Sequence, residues 1–380
     1  MQRTLIGVSV GSAGQGADAA LVRATGIGLD LTPRVEAAAR VTFPPSSDLP
    51  RAIAETAAHA ARTVAVQAGV TPRDVFALGL LSPARSDAPV VWGEVADRVA
   101  EQTGLTVVHA FRSRDRAAGG SGHPVAAAAD HLLFHHDSEP RLLIHLGAVA
   151  SVLLLPAGGK VSAALGFEAG PGNQFLDALV RHGTRGRDAL DPGGKKAVQG
   201  CCLDALLEHW RDHPYLTRRP PKAVHAEAFG AKFVASAFDD AKRLGAGLPD
   251  LLCTATHLVA RSIGDAVRAW LPAGSPRVLL SGGGVRNGFL WSLVARQFDG
   301  RVLSKTDDAG VPALARRAAG AGVLAALACD GVTGNLPLLT GAAGGRVLGQ
   351  IVPGDARNWA RVAAWVADQT GDAARMGRAA

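Results

Sequence analysis

Twice in this chain of 380 residues an apolar run enters a glycine turn and a second apolar run leaves it. Residues 5–10 lead into Gly11-Ser12-Ala13-Gly14-Gln15-Gly16, and Asp18 to Val22 follows. Later, Leu142 to Gly147 turns back into Val149 to Leu155. An apolar run on each side of a glycine-rich tip is the pattern of a hairpin whose tip can present several backbone N–H groups to a ligand. The spacing around the hairpins predicts helices over residues 51–69, Gly93 to Thr103, Phe175 to Val180, Ala197 to Trp210, Leu251 to Leu271 and 314–328. Val75 to Leu81, Leu105 to Ala110 and Arg277 to Ser281 read as strands. A hairpin opening each half predicts a duplicated α/β fold of two domains, residues 1–139 and 140–380, with the break near Glu139-Pro140 and an interdomain cleft. Ligands of α/β folds gather in such clefts and at strand-end loops.

Composition narrows the function classes. Hydrophobic residues make up 48% of the chain and charged residues 19%, which suits a folded chain with two cores. No apolar run approaches the roughly 18 residues of a membrane span, and the first residues read as a strand rather than a secretory signal. Cys201, Cys202, Cys253 and Cys329 lack metal-ligand spacing and are expected as thiols in a reducing cytoplasm. The net charge of +7 could suit nucleic acid, but the arginines are scattered and the aromatics do not interleave with them. Anionic small molecules suit the local arginine groups better.

Three segments offer chemistry. Gly166-Phe167-Glu168-Ala169-Gly170-Pro171-Gly172-Asn173 sets one carboxylate between two glycine-dense turns, where a ligand could approach a candidate base closely. Ser281-Gly282-Gly283-Gly284-Val285-Arg286-Asn287 follows a strand and precedes a helix, an arrangement open to a flat ligand such as adenosine. Phe111 to Pro124 carries Arg112, which could fork a carboxylate or sugar oxygen, and Asp115, which could accept from sugar hydroxyls; a solvated loop with a structural Arg–Asp pair is the alternative. Tyr215 to Lys222 reads by composition as a rigid linker. His135, His136, His209 and His213 read as solvated rather than metal-ligating.

Taken in order, these pieces resemble the anhydro-N-acetylmuramic acid kinase family across nearly the whole chain. The matching segments are Gly11 to Asp18, Phe111 to Pro124, Gly166 to Asp177, Asp191 to Gly200, Pro214 to Lys222, Thr254 to Ser262, Ser281 to Asn287, Asn335 to Ala342 and Val347 to Gly354. The resemblance implies the actin, hexokinase and Hsp70-like ATPase fold. It implies an ATP-dependent sugar kinase that phosphorylates O6 of a 1,6-anhydro sugar while water opens the ring, with Glu168 in the place of the aspartate that activates that water. It puts the phosphate loops at Gly11, Ser12, Ala13, Gly14, Gln15 and Gly16, and at Gly147 and Ala148 running on to Ser151. Adenosine falls to Gly282, Gly283, Gly284 and Asn287, and the sugar to Arg112, Asp115, Asn173 and Asp177. Mg²⁺ would bridge phosphates through waters, with no direct protein ligand. A cytoplasmic place in peptidoglycan recycling and a homodimer are further expectations of the resemblance, with no membrane or nucleic-acid partner.

The chain departs from the family pattern at several of these positions. Glu168 stands for Asp, Gln15 for an acid, and His145, Ala148 and Ser151 for members of the second loop. Ala223-Val224-His225-Ala226-Glu227 replaces Ser-Thr-Gly-Arg-Glu, and Arg316 falls where the family has an acid. These changes raise a second reading, a pseudokinase that binds nucleotide or a muropeptide-like sugar without turnover.

Overall fold

The computed structural model of the protein describes residues 1–11, 16–44, 48–83, 90–225 and 227–376. Two compact units emerge, residues 1–135 with 309–380, and residues 136–308.

The first unit opens with β1 (Gln2–Val10), β2 (Ala17–Thr25) and β3 (Thr32–Val41), a meander of antiparallel strands. Helix α1 (Leu49–Gln67) carries the chain to β4 (Val75–Leu81), which lies parallel to β1 on its other side. Its N-terminus is capped by Asp48, whose side chain accepts from the Arg51 amide at 3.1 Å. Helix α2 (Trp92–Thr103) leads to β5 (Val107–His109), parallel to β4. The short α3 (Ser113–Ala117) and α4 (Ala127–Phe134) complete this stretch. Strand alternation sorts β1: Ile6, Val8 and Val10 join the core formed with α1 and α2.

The second unit repeats the plan. Strands β6 (Arg141–Leu146), β7 (Val149–Leu155) and β8 (Leu165–Pro171) form an antiparallel meander. Helices α5 (Asn173–Gly183), α6 (Asp204–Arg211), α7 (Pro214–Thr217), α8 (Ala231–Arg243) and α9 (Leu248–Trp270) follow. Strand β9 (Arg277–Ser281) returns parallel to β6. Helix α10 (Gly288–Gln297) leads to β10 (Leu303–Lys305), parallel to β9. Leu142, Ile144 and Leu146 of β6 share one core with Ala255, Leu258, Val259 and Ile263 of α9, which packs on β7 and β8.

The chain then returns to the first unit with α11 (Arg316–Cys329), α12 (Pro337–Thr340), β11 (Gln350–Val352) and α13 (Ala356–Met376). Strand β11 pairs antiparallel with β5, so the two sheets run β11-β5-β4-β1-β2-β3 and β10-β9-β6-β7-β8. Setting β11 aside, order and direction are the same in both, which is the duplicated α/β core expected. Helix α11 lies against the partnered glycines Gly7 and Gly79 of β1 and β4. A Cβ on Gly7 would sit 1.8 Å from the Ala318 carbonyl oxygen, and one on Gly79 2.0 Å from that of Ala321. Only glycine admits a helix backbone this close, and the alanines of α11 complete the fit.

Several expectations need correction. A single break at Glu139-Pro140 puts residues 309–380 in the second unit; the chain crosses back near residue 308, because α11 packs on β1 and β4 and β11 pairs with β5. The helix expected over Ala197 to Trp210 is a single 3₁₀ turn followed by α6. The segment holding Glu168 is a strand, although two glycines and a proline hide its propensity. Residues 214–222 pack on that strand and are no linker.

Candidate active site

Glu168 lies in β8 and is 5% exposed. It pairs with Ser151 of β7, and the register shifts between Ala150 and Ser151, so Ala169 is the extra residue of a bulge. A bulge bends its strand and re-aims the side chains beside it. The segment from Tyr215 to Val224 then holds Glu168 at three atoms. The Tyr215 hydroxyl donates to the Glu168 carbonyl at 2.6 Å, the Glu168 amide donates to the Lys222 carbonyl at 3.4 Å, and the Val224 amide donates to Oε2 at 2.6 Å. Lys222 is itself 3% exposed. Its Nζ donates to the Leu216 carbonyl at 3.2 Å and lies 5.5 Å and 5.1 Å from the ring centres of Phe167 and Tyr215. Burial, helped by Arg218, pushes its ammonium down to about 8. The Tyr215 end rests on Phe229, and His213 caps α7 by accepting from the Tyr215 amide at 3.1 Å.

The two glycine turns of this unit meet at Leu146. Gly282, at φ +89°, would place a Cβ 2.6 Å from the Leu146 carbonyl oxygen, so no other residue fits there. Asn173 donates its backbone N–H to the Gly147 carbonyl at 2.8 Å and its Nδ2 to the Leu146 carbonyl at 3.0 Å. Asn173, which the resemblance puts on the sugar side, is thus bound to the Gly147-Ala148 turn. His145 sits at the same junction, with Nδ1 3.1 Å from Ser281 Oγ. Asn287 caps α10, its Oδ1 accepting from the Leu290 amide at 3.0 Å. Asp177, one turn into α5 from Asn173, has its carboxyl pushed up to about 6 by burial, against the opposing pull of Arg181.

In the first unit Gly11 donates its N–H to the Gly16 carbonyl at 2.9 Å, closing the tip of the β1–β2 hairpin. Ser12, Ala13, Gly14 and Gln15 lie outside the described residues. Arg112 is buried and donates to the carbonyl and hydroxyl oxygens of Ser82 at 3.1 and 3.3 Å. Arg317 reaches the same carbonyl at 3.4 Å. Asp115 is fully buried, at 0% exposure. Its Oδ1 accepts from Asn335 Nδ2 and Thr340 Oγ1, both at 2.7 Å, and its Oδ2 from the Gly122 amide at 2.8 Å. Asp115, expected on the sugar side, is thus engaged by three donors of its own unit and has no exposed surface, as a supporting residue would. Arg316 is not a bare positive charge either, since it forms a buried two-point pair with Asp130.

Sequence reasoning missed Tyr215, Lys222 and Val224 as neighbours of the carboxylate. The available signal was the chain's single tyrosine falling inside the matched segment Pro214 to Lys222. Among the described residues no group of three or more His, Cys, Asp or Glu side chains is set to hold a metal ion. No helix among them is long and apolar enough to cross a membrane.

Residues 82–354 match the family model described as anhydro-N-acetylmuramic acid kinase. A protein of that description from Cyanothece sp. is 33% identical over 380 aligned residues, which cover 91% of this chain and 98% of the relative. One from Acidithiobacillus ferrooxidans is 35% identical over 75% of this chain and 71% of its own length. One from Synechococcus elongatus is 32% identical over 91% of this chain and 98% of its own.

Proposed function

Because the chain belongs to the anhydro-N-acetylmuramic acid kinase family, we propose that it phosphorylates O6 of a 1,6-anhydro sugar and opens the anhydro bridge with water. It is a sugar kinase, a phosphotransferase to an alcohol group. In the proposed reaction the water oxygen bonds to C1 and the C1–O6 bond breaks. O6 takes the γ-phosphoryl group of ATP, and ADP leaves. Glu168 accepts the water proton. The observation that carries this reading is a carboxylate at 168 whose Oε2 is fixed by a backbone amide. A base with a set position loses little freedom on the way to the transition state.

The turns at Gly147-Ala148 and Gly282–Gly284 share the Leu146 backbone as a neighbour and suit phosphate and adenosine, with backbone N–H groups as donors. The donor set around them is backbone, amide, hydroxyl and imidazole. That chemistry fits a Mg²⁺ ion held through waters and phosphate oxygens, which would neutralise developing charge on the transferred group. Asp177 and Arg112 remain assigned to the sugar. Asp115 supports the segment that carries Arg112 by accepting from Gly122, Asn335 and Thr340. A cytoplasmic role in peptidoglycan recycling goes with this substrate. No observation favours the pseudokinase reading.

The test is incubation with ATP, Mg²⁺ and 1,6-anhydro-N-acetylmuramic acid, followed by mass spectrometry. A product heavier by one phosphoryl group (HPO₃) and one water supports the assignment. ADP without a phosphorylated sugar, or no ADP at all from folded protein, contradicts it.

A further inference from the structure

We propose that Lys222 is a positioning residue for the Glu168 carboxylate, closing the Tyr215–Val224 segment into a strap that keeps the Val224 amide on Oε2. The proposal rests on the kinase reading of Glu168. Its motive is geometric. Glutamate has one more rotatable bond than the aspartate it replaces, so its carboxylate needs an external tether to stay in one place. The strap supplies that tether through the backbone, which is why exchanging the family's Ser-Thr for Ala223-Val224 leaves it intact. Lys222 Nζ ties back to the Leu216 carbonyl six residues earlier, closing a loop, and the Phe167 and Tyr215 rings flank it. Phe167 precedes Glu168 in β8, so the same ammonium touches the strand and the strap. A lysine this buried carries a desolvation cost that a purely apolar side chain would avoid. Its retained job is to hold a polar backbone segment against the strand.

Lys222→Met keeps length and apolar packing and removes the ammonium. Two readouts are needed, the kinetic constants and hydrogen exchange at the Val224 amide. The proposal expects kcat to fall by about 10-fold or more with the KM for ATP unchanged, since displacement of a reacting group by about an ångström can cost about 10²-fold. It also expects the Val224 amide to exchange about 10-fold faster while the β6 and β9 amides keep their protection. Should Lys222→Met not fold, Lys222→Gln removes the cation between the Phe167 and Tyr215 rings while keeping a polar end, and the same pair of changes is expected. Unchanged exchange at Val224 overturns the proposal whatever happens to kcat, and unchanged kcat with faster exchange overturns it too. If the wild type transfers no phosphate, the kinase reading fails, and the exchange measurement still decides whether Lys222 holds the strap.

Discussion

Arg316 and Asp130 are joined by two hydrogen bonds, Nε to Oδ1 at 2.9 Å and Nη2 to Oδ2 at 2.7 Å, with side chains only 8% and 7% exposed. The positive charge that the family resemblance sets against an acid is therefore matched inside its own unit. Removing one member strands a buried charge, which costs about 3–5 kcal/mol, whereas an apolar pair of similar volume is often tolerated. Arg316→Met is expected to lower stability to urea by that amount, and the double variant Arg316→Met with Asp130→Leu to recover most of it. Equal losses in the single and double variants would show that the pair is not coupled.

Asp115 and Thr340 make a second long-range link, 225 positions apart in sequence. Thr340→Val keeps the shape and removes one donor from a fully buried carboxylate. A loss of about 1–3 kcal/mol is expected in denaturant melts, the usual cost of leaving such a group short of a partner. Stability within a few tenths of a kcal/mol of wild type would contradict the supporting role given to Asp115.

Asp177 supplies the pH prediction. Its carboxyl is raised from 3.8 to about 6 by burial, so the folded chain binds its proton more tightly than the unfolded chain does. The stabilising contribution is complete below pH 3.8 and is lost as pH rises through about 6. From the size of the rise it amounts to at most about 3 kcal/mol, and less with partial solvent screening. Asp177→Asn is expected to flatten the stability profile between pH 4 and pH 7 and to raise stability at pH 7 by about 1–3 kcal/mol. A profile that keeps the wild-type slope would place the titration elsewhere.

Both hairpins were legible because each joins two apolar runs through glycines, a pattern with few other solutions. The long helix α9 was legible from its spacing. Strand β8 was not, since Leu-Gly-Phe-Glu-Ala-Gly-Pro has little intrinsic strand preference and is held by pairing to β7. The strap was hidden for a similar reason. Its prolines give a linker composition, while its anchoring depends on Tyr215 and Lys222 meeting a strand some 50 residues earlier. Asp115 could be picked out as a sugar acceptor or as half of an Arg–Asp pair in a solvated loop, but its burial rests on partners such as Asn335 and Thr340 that are more than 200 residues away. Local pattern carries no information of that kind.

Returning the family's aspartate is expected to lower activity here. Glu168→Asp draws the carboxylate back by one methylene and breaks the 2.6 Å contact with the Val224 amide. A fall in kcat of up to about 10²-fold is expected, with KM values little changed. A gain in kcat would mean that the strap is not matched to the longer side chain.

Glu168 as the group that activates water is the central claim, and turnover in H₂¹⁸O tests it most directly. The wild type is expected to place one ¹⁸O at C1 of the phosphorylated sugar, and Glu168→Gln to lower that incorporation by about 10²-fold or more while remaining folded. Incorporation by Glu168→Gln at the wild-type rate would contradict the claim.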